Sequence, residues 1–570
     1  MRSIIADLAS DHSPETSLPA STNTKANEKS NMANCDIDLT APPFSVVAGD
    51  PSASAANTAA VNSAITINSG TRARLVLPEG NIYFDQANTN DNWSIKFGVG
   101  VSDLALVGHG MFSTRIIIQG VGDGGDWHGI MVDGASRIEL AHFGIQMGIV
   151  THPDPGDQNH LISILCLSGP TTEIIGHHLF FGQAVGDGLR ILGNTSQATN
   201  IRFTDFVMRM AGIGLGARSG VALQRGWKAV ELGNFYIDGV KNSPIDMEPT
   251  GADPLPMAYL NIHDGIIDQS LGHSDVAFSI GGVSHGARAQ HVRVSDVTVL
   301  EGRVVVLSTD NLRVKNMTVT ATARSKAPLV TVRQINNNLH LESLHLERLG
   351  GSEDGNVLDI ENTGNATTID GGIFVEGVLG YPLTFDGTRN LRIRGPRIQY
   401  DGAAPASRDG INIVGSIGDA DNVQIDNVQV ISSTGKLRSA VRLAPRSGHS
   451  MTNLRVANVH CAESATSGVY FSYHPSATTD SSPLITSISN GTDKVWKQVD
   501  HNDNAIESIH PVISGNPGSV CEMVGQVPPE HTVTAVQGTI YTHQNGDSTA
   551  RYYKQHGTGN TGWSPPLVIP

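Results

Sequence analysis

The chain has 570 residues, with 38 Lys and Arg against 54 Asp and Glu and a formal charge of -16. That balance speaks against a broad nucleic-acid-binding face, and an acidic substrate would need local Arg, Lys or His. Charged residues (16%) and aromatics (5%) are sparse while glycine reaches 62, the composition of short strands joined by tight turns rather than of long helices.

The first residues, MRSIIADLASDHSPETS, hold an apolar stretch too short and too interrupted by charge for a signal peptide. No later segment approaches the roughly 18 continuous apolar residues of a membrane span. Residues 1–45 are polar and without periodicity, and are expected to be a flexible tail or docking peptide. In NTAAVNSAITINSG, Ala60, Val61, Ala64 and Ile65 fall at helical spacing, which predicts one amphipathic helix. The strand RARLVLPEGNIYFD follows. A helix at this point would cover the open first rung of a solenoid.

The main signal is a repeat of the form apolar-x-apolar-x-polar-apolar-x-apolar. It reads RIELAHFGI from Arg137, NIRFTDFVM from Asn200, AVELGNFYI from Ala229, YLNIHDGII from Tyr259 and HVRVSDVTV from His291. It continues as NLRVKNMTV from Asn311, NLHLESLHL from Asn338, NLRIRGPRI from Asn390, NVQIDNVQV from Asn422 and NLRVANVHC from Asn453. Starts recur at intervals of roughly 20 to 36 residues, in the range of solenoids. Alternation makes each copy a strand with one buried face, and the polar residue in its middle marks a bend where stacked Asn can bond from rung to rung. Between these copies lie third strands: DGLRIL at Asp187, SGVALQ at Ser219, SPIDME at Ser243, SDVAFS at Ser274 and GRVVVL at Gly302. The expected fold is all-β, a right-handed parallel β-helix of about a dozen rungs. The β-helix domain is placed at 46–495 and a small C-terminal β module at 496–570. A propeller fits poorly because hairpin signals are missing from the repeat. Cys35, Cys166, Cys461 and Cys521 are dispersed, with no CxxC pair, so neither a zinc site nor a disulfide framework is expected.

VVAGDPSASAANTAAVNSAI followed by ARLVLPEGNIYF resembles the entry segment of the pectate-lyase-like β-helix superfamily. With the rungs, that likeness covers about three quarters of the chain; it implies the fold, while the reaction varies within the superfamily. GTIYTHQNGDSTARYYKQHGTGNTGW, Gly538 to Trp563, looks like a module found at the ends of phage and prophage tail proteins. Asn545-Gly546 would form its hairpin turn, and Tyr541 and Trp563 its packing. This second likeness implies a viral spike or fibre, a homotrimer on a virion tail or outside the cell, whose β-helix degrades a bacterial surface polysaccharide. The N-terminal tail would then dock to another tail protein. LALVGHGMFSTRIII also resembles inulin fructotransferases, whose catalytic acid precedes Thr-Gly as Glu248 does in DMEPTG. Their partner Asp falls near Asn234 here, so that reaction is not carried over.

If Leu189 and Ile191, Val221 and Leu223, Ile245 and Met247, and Val276 and Phe278 point inward, two outward columns follow. One holds Arg190, Ala222, Asp246 and Ala277; the other holds Leu192, Gln224, Glu248 and Ser279. Asp246 and Glu248 then share a face, with Cα atoms roughly 6.5–7 Å apart. Paired carboxylates are what glycoside hydrolysis uses, one to protonate the leaving oxygen and one to activate water or attack. Like-charge proximity would raise one pKa, as an acid requires. Small neighbours (Ala222, Ala277, Ser279) would leave room for a sugar ring. Substrate contacts are expected from Asp187, Arg190, Gln224, Lys241, His273, Asp275 and Trp127, the last as a stacking platform with His128. The bland reading of each is a solvated sheet face or a packed aromatic. Asp205, Asp238 and Asp264 read as bend-strand acids, and His177 and His178 as bend or core residues. The loop His152–His160 carries acids and histidines without ligand spacing, so no metal and no cofactor are expected. A β-eliminating lyase would instead use Arg190, Lys241 or His273 on a uronate. A third reading is an adhesin that binds glycan without cutting it. Neither nucleic acid nor membrane is an expected partner.

Overall fold

The computed structural model describes residues 35–500 apart from short internal stretches, among them 86–91, 120–126, 149–158, 211–217, 249–254, 273 and 282–287. Beyond residue 500 it describes short strands and a few residues beside them. The third strands stack in parallel into one fifteen-stranded sheet. The bent repeats form a second sheet of twenty-three strands. Inward residues lie in columns, for example Ile162, Leu189, Val221 and Ile245 on one sheet and Ile201, Val230, Leu260 and Val292 on the other. Together they fill one continuous apolar core. This is the expected parallel β-solenoid.

The bends have a backbone cause. Two residues per turn adopt left-handed φ, one where the repeat begins and one at its middle. The first column includes Arg137, Asn200, Ala229, Tyr259, His291, Asn311, Asn390, Asn422 and Asn453. The second includes His142, His178, Asp205, Asn234, Asp264, Asp296, Asn427 and Asn458. Asn and Asp tolerate this region best among residues with a Cβ, which explains why the pattern is rich in them. An Asn stack is present, at the start of the repeat and not at its middle as expected: Asn422 donates to Asn390 and Asn453 to Asn422, both at 2.8 Å, and Asn338 donates to Asn311 at 3.1 Å. Asp205 joins the mid-repeat column by accepting from Asn234.

The helix spans Ser54–Asn68 and buries Val61, Ala64 and Ile65, with Ala60 partly covered. Its polar residues close the end of the solenoid. Asn62 donates to the Ser94 carbonyl at 2.8 Å and accepts the Lys96 N–H at 2.9 Å, both on Trp93–Phe97, the terminal strand of the fifteen-stranded sheet. Asn57 does the same for Val47 and also reaches the Tyr83 carbonyl. These bonds satisfy backbone groups that an open edge would leave unpaired.

Three features depart from the sequence reading. Cys35–Asp38, inside the expected tail, is a strand that pairs with Ala73–Val76. Trp496–Asp500 and Val512–Ser514 still pair with solenoid strands, and a separate four-stranded sheet begins at Glu522–Gly525. In its hairpin Asn545, expected in the turn, is a strand residue paired with Ser548, and Gly546 lies outside the described residues. Trp563 is buried as expected; the Tyr541 side chain lies outside the described residues.

Candidate active site

Arg190, Ala222 and Asp246 are register partners on Leu189–Gly193, Ser219–Leu223 and Ser243–Met247. Ile245 and Met247 point into the core, which turns Asp246 and Glu248 out on the same face. The next rung differs from expectation. Asp246 pairs with Ser279, not Ala277, because a bulge between Val276 and Phe278 adds one residue to that strand. Ala277 is turned inward and fully buried, and the small side chain beside Asp246 is the Ser279 hydroxymethyl.

Asp246 and Glu248 share a side-chain hydrogen bond. Burial, then the charge of Glu248, that shared bond and the nearby Asp187 push the Asp246 carboxyl up to about 7, against the pull of Arg218. Glu248 is 39% exposed and lies 3.9 Å from Arg218 Nη1. The pair is thus asymmetric, one carboxyl sheltered and proton-holding, the other open and beside a guanidinium.

Beneath the pair lies a buried polar frame. Arg218 donates from Nε and Nη2 to the two oxygens of Asp187 at 3.0 and 2.8 Å. His160 Nδ1 stands 3.1 Å from Asp187 Oδ2. Burial works against ionisation of Asp187, yet His160 and Arg218 hold its carboxyl below the usual range. His160 Nε2 is 3.0 Å from Arg190 Nη1, and Arg190 Nε donates to Gln224 Oε1 at 3.0 Å. His128 stacks on His160 and bonds the Ser163 hydroxyl. An ion pair with its carboxylate fully buried fixes geometry more than it adds stability, and here it aims the partly exposed Arg218 at Glu248.

The expected substrate residues divide accordingly. Arg190 and Gln224 sit together next to the acids, each less than a tenth exposed. Asp187 is wholly buried, so it orients Arg218 instead of meeting a ligand. Asp275 pairs with Arg303 at 3.0 Å on the adjoining turn, and Lys241 is exposed at the turn before Ser243. His273 lies outside the described residues. Trp127 is 3% exposed and packs in the core, which removes it as a stacking platform. Asn234 stands at a bend of the other sheet, bonded to Asp205.

Sequence reasoning missed Arg218 and His160. Arg218 follows Asp187 by one rung length, and that spacing was the available signal. It also missed a second outward pair, Asp359 and Glu361, four rungs along the same columns from Asp246. Burial and Asp359 raise the Glu361 carboxyl, but Arg333 bonds it at 2.8 Å and closes that pair with a cation. On the other sheet, His142, His177 and His178 bring ring nitrogens within 4.8 Å of one another, an arrangement able to hold a transition metal. His177 Nε2 is 2.9 Å from Glu139, and His178 occupies a bend.

No family model matches the chain, and no curated protein sequence is similar to it. Solved structures are similar. The tailspike protein of E. coli bacteriophage HK620, solved with a pentasaccharide, is 11% identical, with 91% of this chain and 84% of that one covered at a TM-score of 0.37. PfbA, a surface adhesin of Streptococcus pneumoniae, is 10% identical over 94% and 99%, with a TM-score of 0.35. The Agl-KA catalytic domain is 12% identical over 87% and 70%, with a TM-score of 0.38.

Proposed function

We propose that this protein binds and cleaves a bacterial surface polysaccharide by glycoside hydrolysis, with Asp246 and Glu248 as its carboxylate pair. The observation that carries the reading is the asymmetry of the two acids. Asp246, raised to about 7, keeps its proton near neutrality and is suited to protonate the leaving glycosidic oxygen. Glu248, open to solvent and next to Arg218, is placed to attack the anomeric carbon or to draw a proton from water. Arg190 and Gln224 form the floor beside them, and the Asp187–Arg218 pair sets the electrostatics. The lyase alternative is less well supported, since Arg190 is tied to Gln224 and His160 rather than open to a sugar carbon. The end module's likeness to phage tail proteins supports a spike-like, trimeric assembly acting outside the cell, docked through the N-terminal segment.

The test is incubation with capsular and exopolysaccharides, followed by sizing of the products. Asp246→Asn and Glu248→Gln keep side-chain size and are each expected to lower cleavage on the order of 10²-fold or more, with binding retained. New reducing ends identify hydrolysis; ultraviolet absorbance of an unsaturated uronate would instead identify a lyase. Near wild-type cleavage by both variants, together with loss in Asp359→Asn, would move the site to the second pair. Binding without any shortening would leave an adhesin.

A further inference from the structure

The Asp187–Arg218 arrangement has a second copy. Asp409 begins the strand segment DGINI as Asp187 begins DGLRI, and Arg438-Ser439 follows one rung later as Arg218-Ser219 does. Arg438 donates from Nε and Nη2 to the two oxygens of fully buried Asp409, at 3.1 and 2.5 Å, and Ser439 adds a third bond at 2.6 Å. The outward positions differ. Where the first copy has Ala222 and two acids, the second has Arg442, register partner of Asn412 and Tyr470.

Arg442 lies in the same outward column as Asp246, seven rungs away through Ser279, Val305, Thr331, Asp359, Thr384 and Asn412. At one strand spacing per rung the separation is roughly 34 Å. Arg442 donates to Asn412 at 3.1 Å, while its buried Nε has no partner among the described residues. Burial pulls its pKa down, and Arg438 and Arg446 add to this against the attraction of Asp409. Arg438 lies over the Tyr470 ring at 4.3 Å and Arg408 over Tyr381 at 4.9 Å, so the aromatic faces hold these guanidiniums in fixed planes. Arg438 and Arg446 thus lie close enough to Arg442 to act on its charge, while Arg438 and Ser439 occupy the oxygens of Asp409. In a chain of formal charge -16, such a cluster is a local reversal of sign.

We propose that Arg442, with Arg408 and Arg438, forms an anion-binding subsite for the carboxylate of an acidic polysaccharide lying along this face. The proposal deepens the reading above: the polymer is a polyanion, and it is gripped far from where it is cut. A planar guanidinium whose one side-chain bond among the described residues is to Asn412 matches a sugar carboxylate in shape and charge.

The test is gel retardation of the full chain in polygalacturonate, alginate or hyaluronate, with neutral dextran as control. Retardation by at least one polyuronate and not by dextran is expected, weakening with added salt. Arg442→Gln should reduce apparent affinity about tenfold or more, Arg442→Lys less, and Arg408→Gln should weaken it too. Circular dichroism of each variant excludes misfolding, and Asp246→Asn should be retarded like wild type. Retardation by none of the three polyuronates, or equal retardation of Arg442→Gln, overturns the subsite. Loss of cleavage assignments in Asp246→Asn would not, so the two readings fail separately.

Discussion

Asp246 stores its chemistry as a proton, and that has a measurable consequence for folding. An acid whose pKa is raised in the folded state binds more protons folded than unfolded. Its contribution is complete below the unfolded value of 3.8 and is lost as pH rises through about 7. Asp187 works in the opposite sense, since its lowered pKa gives stability that is lost as pH falls. Comparing Asp246→Asn with wild type isolates the first effect. The variant should match wild type in denaturant midpoint near pH 4 and exceed it at pH 8; a constant difference across that range would mean Asp246 titrates normally. The same residue should set the alkaline limb of the cleavage profile near 7. At this scale the sequence was legible where parity decides. Alternation put Asp246 and Glu248 outward because their neighbours Ile245 and Met247 are apolar. It could not place Arg218 or His160, which meet Asp187 only through the stacking of separate rungs, nor show Trp127 sinking into the core.

Strands and bends obey a stricter rule than hydrophobic alternation. The left-handed φ of Asn422 is +58, and its amide takes part in bonds to the rungs on both sides. Asn422→Ala removes both bonds and leaves the left-handed φ to a side chain that tolerates it less well than Asn, at a cost of about 1–3 kcal/mol. Asn422→Gly removes the bonds but not the backbone freedom, so its urea midpoint should lie between those of wild type and the Ala variant. Equal midpoints would show that the bend is not strained. Repeat, bend and capping helix were readable because each is written in local residues. The bulge at Val276–Phe278 was not, since SDVAFS alternates as well as its neighbours do and only the partner strand reveals the added residue. Gly188 shows the same limit: a Cβ there would come within 2.4 Å of the Met210 side chain, a contact between residues that flank strands of different sheets.

As a whole, the molecule is nearly one-dimensional, with each rung touching its neighbours and the helix closing one end. A trimeric spike built from it should sediment at three times the chain mass, and a monomer at micromolar concentration would remove the spike-like assembly from the proposal. The continuous column of paired residues from Asp246 to Arg442 also makes the solenoid a ruler. Each rung is a graduation of roughly 4.8 Å, and every graduation carries its outward side chain in the same phase. Removing or adding one complete rung between the two sites would change the distance from grip to cut by that step and leave both ends chemically intact. Such a protein would set the length of its products by counting turns of its own backbone, and selection could retune that length without touching a catalytic residue.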